Sequence, residues 1–204
     1  MSYLEYTSPE NWTISEVKFL TTFQGKCESI MCQGNGYLGL RNSLEEDYAN
    51  KRPGLFVAGT FNKCNDDEVC ELPNVADPCS MQISINDNNF SMLEGKSTNY
   101  RREINLKSGE TTRTLSWLSP DGTIVKFTFS RFVSMHNKHL IMQRLSIVSD
   151  KDIDLKIRCK INGQITNSGA THMDEGDKRF YEKKYMQFCQ TTSQTKIHYS
   201  NKSF

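Results

Sequence analysis

The chain has 204 residues with 25 Lys+Arg against 24 Asp+Glu, a net charge of +1 that excludes a strongly basic nucleic-acid or membrane-surface binder. No run of 18 apolar residues exists to span a bilayer, and the start MSYLEYTSPENW has neither the basic nor the apolar region of a signal peptide. The seven cysteines (Cys27, Cys32, Cys64, Cys70, Cys79, Cys159 and Cys189) contain no C-x-x-C. They read as reduced thiols of a cytoplasmic protein, without a metal site.

In chain order, SPENW near the start predicts one helical turn. CESIMC (27–32) reads as a strand leading into the glycine-rich GNGYLG (34–39). SLEEDYAN (43–50) predicts up to two turns of helix, with Ser43 as N-cap and acids in the first turn. LFVAGTF (55–61) is a candidate strand. SMQISIN (80–86) alternates with period two and runs into a turn at Asp87-Asn88-Asn89, a hairpin with FSML. RTLSWL (113–118) and TIVKFTFSRFVS (123–134) flank Ser119-Pro120-Asp121-Gly122, with Pro early and Gly late as a tight turn requires. HLIMQRLSIVS, DIDLKIRCKING and MQFCQTTSQTKIHYS continue in the same alternating style, and the polar stretch 166–184 reads as a long surface loop. At least nine strands joined by short turns predict an all-β chain, a large antiparallel β-sandwich.

GNGYLG fits the G-x-G-x-x-G pattern of dinucleotide sites through Gly34, Gly36 and Gly39. That fingerprint needs a helix immediately after it and an acid about 20 residues on. YLGLRN has strand character and GLFVAGT carries no acid, so nucleotide binding is rejected. A hairpin turn with Asn35 at positive φ accounts for the glycines. It leaves Tyr37, Gly39, Arg41, Glu45 and Glu46 unexplained.

The segments "ESIMCQGNGYLGLRNSLEE", "RPGLFVAGTFNK", "ELPNVADP", "YRREINLKSGETTRTLSW", "DGTIVKFTFSRFVSMHNKHLIMQRLSI" and "CKINGQITN" follow one another from about residue 12 to about 167. Together they resemble the N-terminal domain of glycoside hydrolase family 65, the maltose, kojibiose, nigerose and trehalose phosphorylases with some trehalases. Arg41 is followed by Asn42 where the family usually has Gly; Asn in the left-handed region would keep that turn.

The resemblance implies a supersandwich of the galactose-mutarotase type, with residues 1–204 forming one N-terminal β-sandwich domain, short of the complete family sandwich. The catalytic (α/α)6 barrel, which carries the acid and the phosphate site, is absent from these residues. The implied function is the non-catalytic N-terminal domain of an inverting disaccharide phosphorylase, which supports the barrel and a homodimer. Inorganic phosphate is a co-substrate of the parent enzyme, and no cofactor is implied. A free-standing carbohydrate-binding sandwich and the N-terminal part of a trehalase-type hydrolase are the alternatives.

No catalytic residue is assigned. The acid pairs Glu45/Glu46, Asp66/Asp67 and Asp174/Glu175 read as solvated loop residues, and the four histidines as surface or edge residues. Asn35, Tyr37, Arg41 and Glu46 are candidates for a domain junction or the rim of a sugar site. Arg41 would pair with Glu45, Glu46 or a barrel carboxylate. Trp12 and Trp117 are read as core or interface residues before sugar-stacking platforms.

Overall fold

The computed structural model describes residues 2–6, 10–48, 51–61, 70–163 and 165, and the backbone of 186–193 and 196–203. In chain order it contains β1 (Leu4–Tyr6), β2 (Thr13–Glu16), a 3-10 turn (Thr21–Phe23) that runs into helix α1 (Gln24–Ile30), β3 (Gln33–Gly34), β4 (Leu38–Leu40), β5 (Leu55–Val57) and β6 (Asp77–Ile85). There follow β7 (Asn88–Asn89), β8 (Lys96–Asn105), β9 (Thr111–Leu118), β10 (Ile124–Val133), β11 (Ile141–Ser149), β12 (Leu155–Asn162), β13 (Met186–Ser193) and β14 (Lys196–Ser203). The all-β reading holds.

One sheet has the order β1-β2-β8-β9-β10-β11, and a second has β12-β6-β7. Pairing between neighbouring strands is antiparallel throughout both. The alternation seen in the sequence becomes an inner face. Leu115 and Trp117 of β9 and Val125, Phe127 and Phe129 of β10 meet Ile83 and Ile85 of β6 and Phe90, which follows β7. Phe90 joins the two layers, with its ring 4.4 Å from Phe127 and 5.5 Å, edge-on, from Trp117. The small sheet β3-β4-β5 packs Leu38, Leu40 and Leu55 on Cys79 and Val133 at one end of this core. Helix α1 contributes Cys27 to a third cluster with Met31, Leu4 and Ile104.

The turns follow residue chemistry. Ser119 N donates to Thr123 O and Gly122 N to Ser119 O, both at 2.9 Å, with Gly122 at φ +81. The β6–β7 turn is Asn86-Asp87, one residue earlier than expected, with both residues at positive φ (48 and 64). A two-residue hairpin turn demands that conformation, and Asn and Asp tolerate it best after Gly.

Two local expectations fail. Residues 24–30 form a helix where CESIMC suggested a strand, because its buried positions are Gln24, Cys27 and Glu28. That is helical spacing carried by two polar residues, so the apolar pattern concealed it. Residues 43–48 form no helix. Carbonyls that a helix needs for itself are taken by tertiary donors: Asn42 O by Arg102, Ser43 O by Arg131, and Glu45 O by Met81 N. Near the start, Glu10–Asn11 make a turn, while Ser8 and Pro9 lie outside the described residues. So do the 166–184 stretch, the acid pairs at 66/67 and 174/175, and His172.

Phe90→Ala removes the ring that links the layers, and we expect it to cost about 3–5 kcal/mol of unfolding free energy. Urea denaturation followed by tryptophan fluorescence measures this; a loss below about 1 kcal/mol would mean the layers close without that ring.

Candidate functional site

Period two places arginines among the apolar inner-face residues. Arg113 shares a parity with Leu115 and Trp117, and Arg131 with Phe127, Phe129 and Val133. The strand register aligns Glu16, Arg102, Arg113 and Phe129 in one row across β2, β8, β9 and β10. The next row holds Ile14, Ile104, Thr111 and Arg131. Three buried arginines thus face inward beyond the aromatic core.

The segment after β4 crosses this inner face and neutralises them. Glu46 accepts a bidentate pair from Arg113, at 2.5 Å for both bonds. Glu45 bridges Arg113 at 2.8 Å and Arg131 at 2.5 Å. Arg102 donates from Nε to Glu16 at 2.8 Å, and to Asn42 O and Gln24 Oε1. Gln24 and Tyr100 also donate to Glu16. Three arginines (102, 113, 131) meet three glutamates (16, 45, 46), so the cluster is neutral. Burial pushes the Glu45 carboxyl up, but Arg131 and Arg113 outweigh that and hold it below its ordinary value. Burial disfavours the charge on Arg113 too, yet Glu46 and Glu45 leave its pKa raised.

Its guanidinium also stacks 4.1 Å from the Phe129 ring centre.

Glu45 and Glu46, expected as solvated acids, are therefore buried. Arg41 does not pair with either. Its partner is Glu28 of α1 at 2.9 Å, with further bonds to Gly25 O, Ser29 Oγ and Arg52 O. Tyr48 donates its hydroxyl to the other Glu28 oxygen. Burial, then the Glu28 charge, pushes the Tyr48 pKa up. Arg41 also lies across Gly54, where a Cβ would come within 2.7 Å of its Cδ.

The glycine motif is the β3–β4 hairpin, with Gln33 opposite Leu40 and Gly34 opposite Gly39. Strand β4 follows it, so no helix N-terminus faces the turn. Positive φ falls on Gly36 (+82) and not on Asn35, and Asn42 is not left-handed either. Their side chains do other work. Asn35 Oδ1 accepts from Tyr37 N and Leu38 N, while its Nδ2 donates to Ser134 O at 2.7 Å and Lys138 O at 3.0 Å. Asn42 Nδ2 donates to Met31 O and Thr111 Oγ1. Tyr37 sets its ring 4.4 Å from that of His139, in the loop Asn35 holds. Trp117 is buried, and Trp12 is half-exposed under Lys107.

A cavity of about 10 Å³ lies among Asn42, Leu44, Arg102, Arg113 and Arg131. That is room for about one water, far below the roughly 300 Å³ of the smallest ordinary ligand pockets. The cluster is a sealed electrostatic brace. Of the four candidates, Asn35 and Glu46 are buried, while Tyr37 and Arg41 keep part of their surface. Glu16, Glu28, Arg102, Arg113 and Arg131 escaped the sequence reading of the site. For the arginines, the signal was a charge on the apolar parity of a strand.

The fold and this brace define an antiparallel β-sandwich scaffold whose charged motifs hold loops and sheets together. The sequence profile described as "Glycosyl hydrolase family 65, N-terminal domain" matches residues 14–202, and the chain belongs to that family. A kojibiose phosphorylase from Halothermothrix orenii is 43% identical over 171 residues, covering 83% of this chain but 22% of the relative. A nigerose phosphorylase from Lachnoclostridium phytofermentans is 28% identical, over 70% of this chain and 19% of its own length. The solved structure of a kojibiose phosphorylase candidate from the human microbiome superposes with a TM-score of 0.69 at 26% identity, covering 76% of this chain and 22% of that one. The chain thus spans about a fifth of the length of these relatives.

Glu46→Gln leaves Arg113 short of a buried counter-charge, and we expect a loss of about 3–5 kcal/mol. Its urea midpoint at pH 7 measures this, and a change below about 1 kcal/mol would show the pair to be replaceable.

Acid removes the same support. The folded pKa of Glu45 is depressed, so its contribution is present above its unfolded value of 4.5 and lost as pH falls through the folded value. Urea midpoints from pH 7 to 3 should fall below about pH 4.5. Glu45→Gln, already less stable at pH 7, should show a shallower fall.

Proposed function

We propose that this chain is the non-catalytic N-terminal β-sandwich of an inverting disaccharide phosphorylase. Such an enzyme turns an α-glucoside and inorganic phosphate into β-glucose 1-phosphate and a free sugar. The observation that carries the reading is the pattern of coverage: 83% of this chain aligns with only 22% of a kojibiose phosphorylase. A second kojibiose phosphorylase, from Escherichia coli, is 36% identical, which favours kojibiose as the parent's substrate.

The chemistry belongs to the remainder of the parent. One carboxylic acid there protonates the leaving oxygen while phosphate, already an anion, attacks from the opposite face. In this chain the carboxylates of the central cluster are paired with arginines and closed to a sugar. Its task is mechanical: Asn35, Tyr37 and Arg41 stiffen the loops that meet the helical barrel at the domain junction, and the domain takes part in a homodimer. Among the described residues Cys27, Cys32, Cys70, Cys79 and Cys159 are free thiols, which fits the cytoplasm, and no helix is long and apolar enough to cross a membrane. A free-standing sugar-binding module is disfavoured, because Trp117 is sealed in the core and the half-exposed Trp12 carries Lys107 over its ring.

The purified chain, given phosphate with kojibiose, maltose, nigerose or trehalose, should release no β-glucose 1-phosphate above a heat-killed control. Substituted for the matching segment of the Halothermothrix orenii enzyme, it should give an active chimera. Product from the isolated chain, or a folded but inert chimera, overturns the reading.

A further inference from the structure

The sandwich is open on one side. Leu155 and Ile157 of β12 lie opposite Ile85 and Ile83 of β6, so all four share the core face of their sheet. Ile83 and Ile85 are fully buried, yet Leu155 is 39% and Ile157 47% exposed. Strand β12 therefore overhangs the facing sheet, which ends at β11. A strand added beside β11 is what would cover it.

The edge of β11 is ready to pair. Asp150 N donates to Ile124 O, and Leu140 O accepts from Ser134 N, which frames the alternation along β11. Even-numbered residues turn their backbone groups toward β10. Gln143, Leu145 and Ile147 turn theirs to the free edge, where among the described residues no strand pairs. An uncovered edge beside an uncovered apolar face is a docking surface for a β-strand.

We propose that the β13–β14 hairpin docks here, adding a strand to the edge of β11 and closing the core over Leu155 and Ile157. The hairpin forms its own two-stranded sheet, and a lone hairpin is at best marginally stable. Its register places positions 186, 188, 190, 192, 197, 199, 201 and 203 on one face, where the sequence has Met, Phe, Gln, Thr, Ile, Tyr, Asn and Ser, so the large apolar residues of the hairpin all fall on this face. Positions 187, 189, 191, 193, 196, 198, 200 and 202 fall on the other, and there the sequence is Gln, Cys, Thr, Ser, Lys, His, Ser and Lys. The family match runs to residue 202, so the hairpin belongs to this same domain. The intervening 166–185 stretch can span several tens of ångströms, roughly 3.3 Å per residue, so docking needs no strain. Tethering favours the chain's own hairpin over a second copy.

Amide hydrogen exchange by NMR on the full 204-residue chain tests this. The Gln143, Leu145 and Ile147 amides should be protected, and in Phe188→Asp/Ile197→Asp they should exchange about tenfold faster or more. The Met142, Arg144 and Ser146 amides, bonded to β10, report that the variant remains folded. Unprotected edge amides in the wild type overturn the proposal. So does protection that survives the double variant, and so does protection that rises with protein concentration, the mark of a second copy.

Discussion

Everything else in this sandwich is arranged around three arginines that cannot leave it. Arg102, Arg113 and Arg131 stand on the inner face of the long sheet because strand alternation points them there. A lone buried guanidinium would cost several kcal/mol. Glu16 answers from β2, and Glu45 and Glu46 answer from the segment after β4. That segment is held between the layers by charge as much as by apolar contact, with only Leu44 as a large apolar residue among Asn42–Glu46.

The cluster also selects one arrangement out of many. Apolar side chains accept many neighbours, whereas a bidentate arginine–carboxylate pair accepts few geometries. A shift of β8 by one residue against both β2 and β9 would turn Arg102 outward and leave Glu16 buried without its partner. Hydrophobic burial makes the sandwich stable, and the ion network makes its register unique.

The density of specific residues around the glycine turn has the same origin. Asn35 ties the β3–β4 hairpin to the 134–140 loop, Arg41 ties the end of β4 to α1, and Asn42 ties it to β9. A motif rich in Asn, Tyr, Arg and Glu resembles a reactive site on paper. Here Asn35, Asn42, Glu45 and Glu46 are buried, and each is answered by groups of the same chain.

What the sequence determined by itself is the part written in local chemistry. Period-two alternation gives the strands, Ser-Pro-Asp-Gly gives one turn and the Asn/Asp-rich stretch gives another to within one residue, and the ordered motifs give the family. Tertiary structure decided which polar residues are buried and whom they meet. Glu45 and Glu46 look like any acidic loop until Arg113 and Arg131, more than 60 residues away in sequence, arrive opposite them. Arg41 could not be matched to Glu28 while residues 24–30 were read as a strand. Backbone preference extends over a few residues, so it is legible in the chain. Ion pairing depends on the register of strands brought together from distant positions, so it exists only once the sheets have closed.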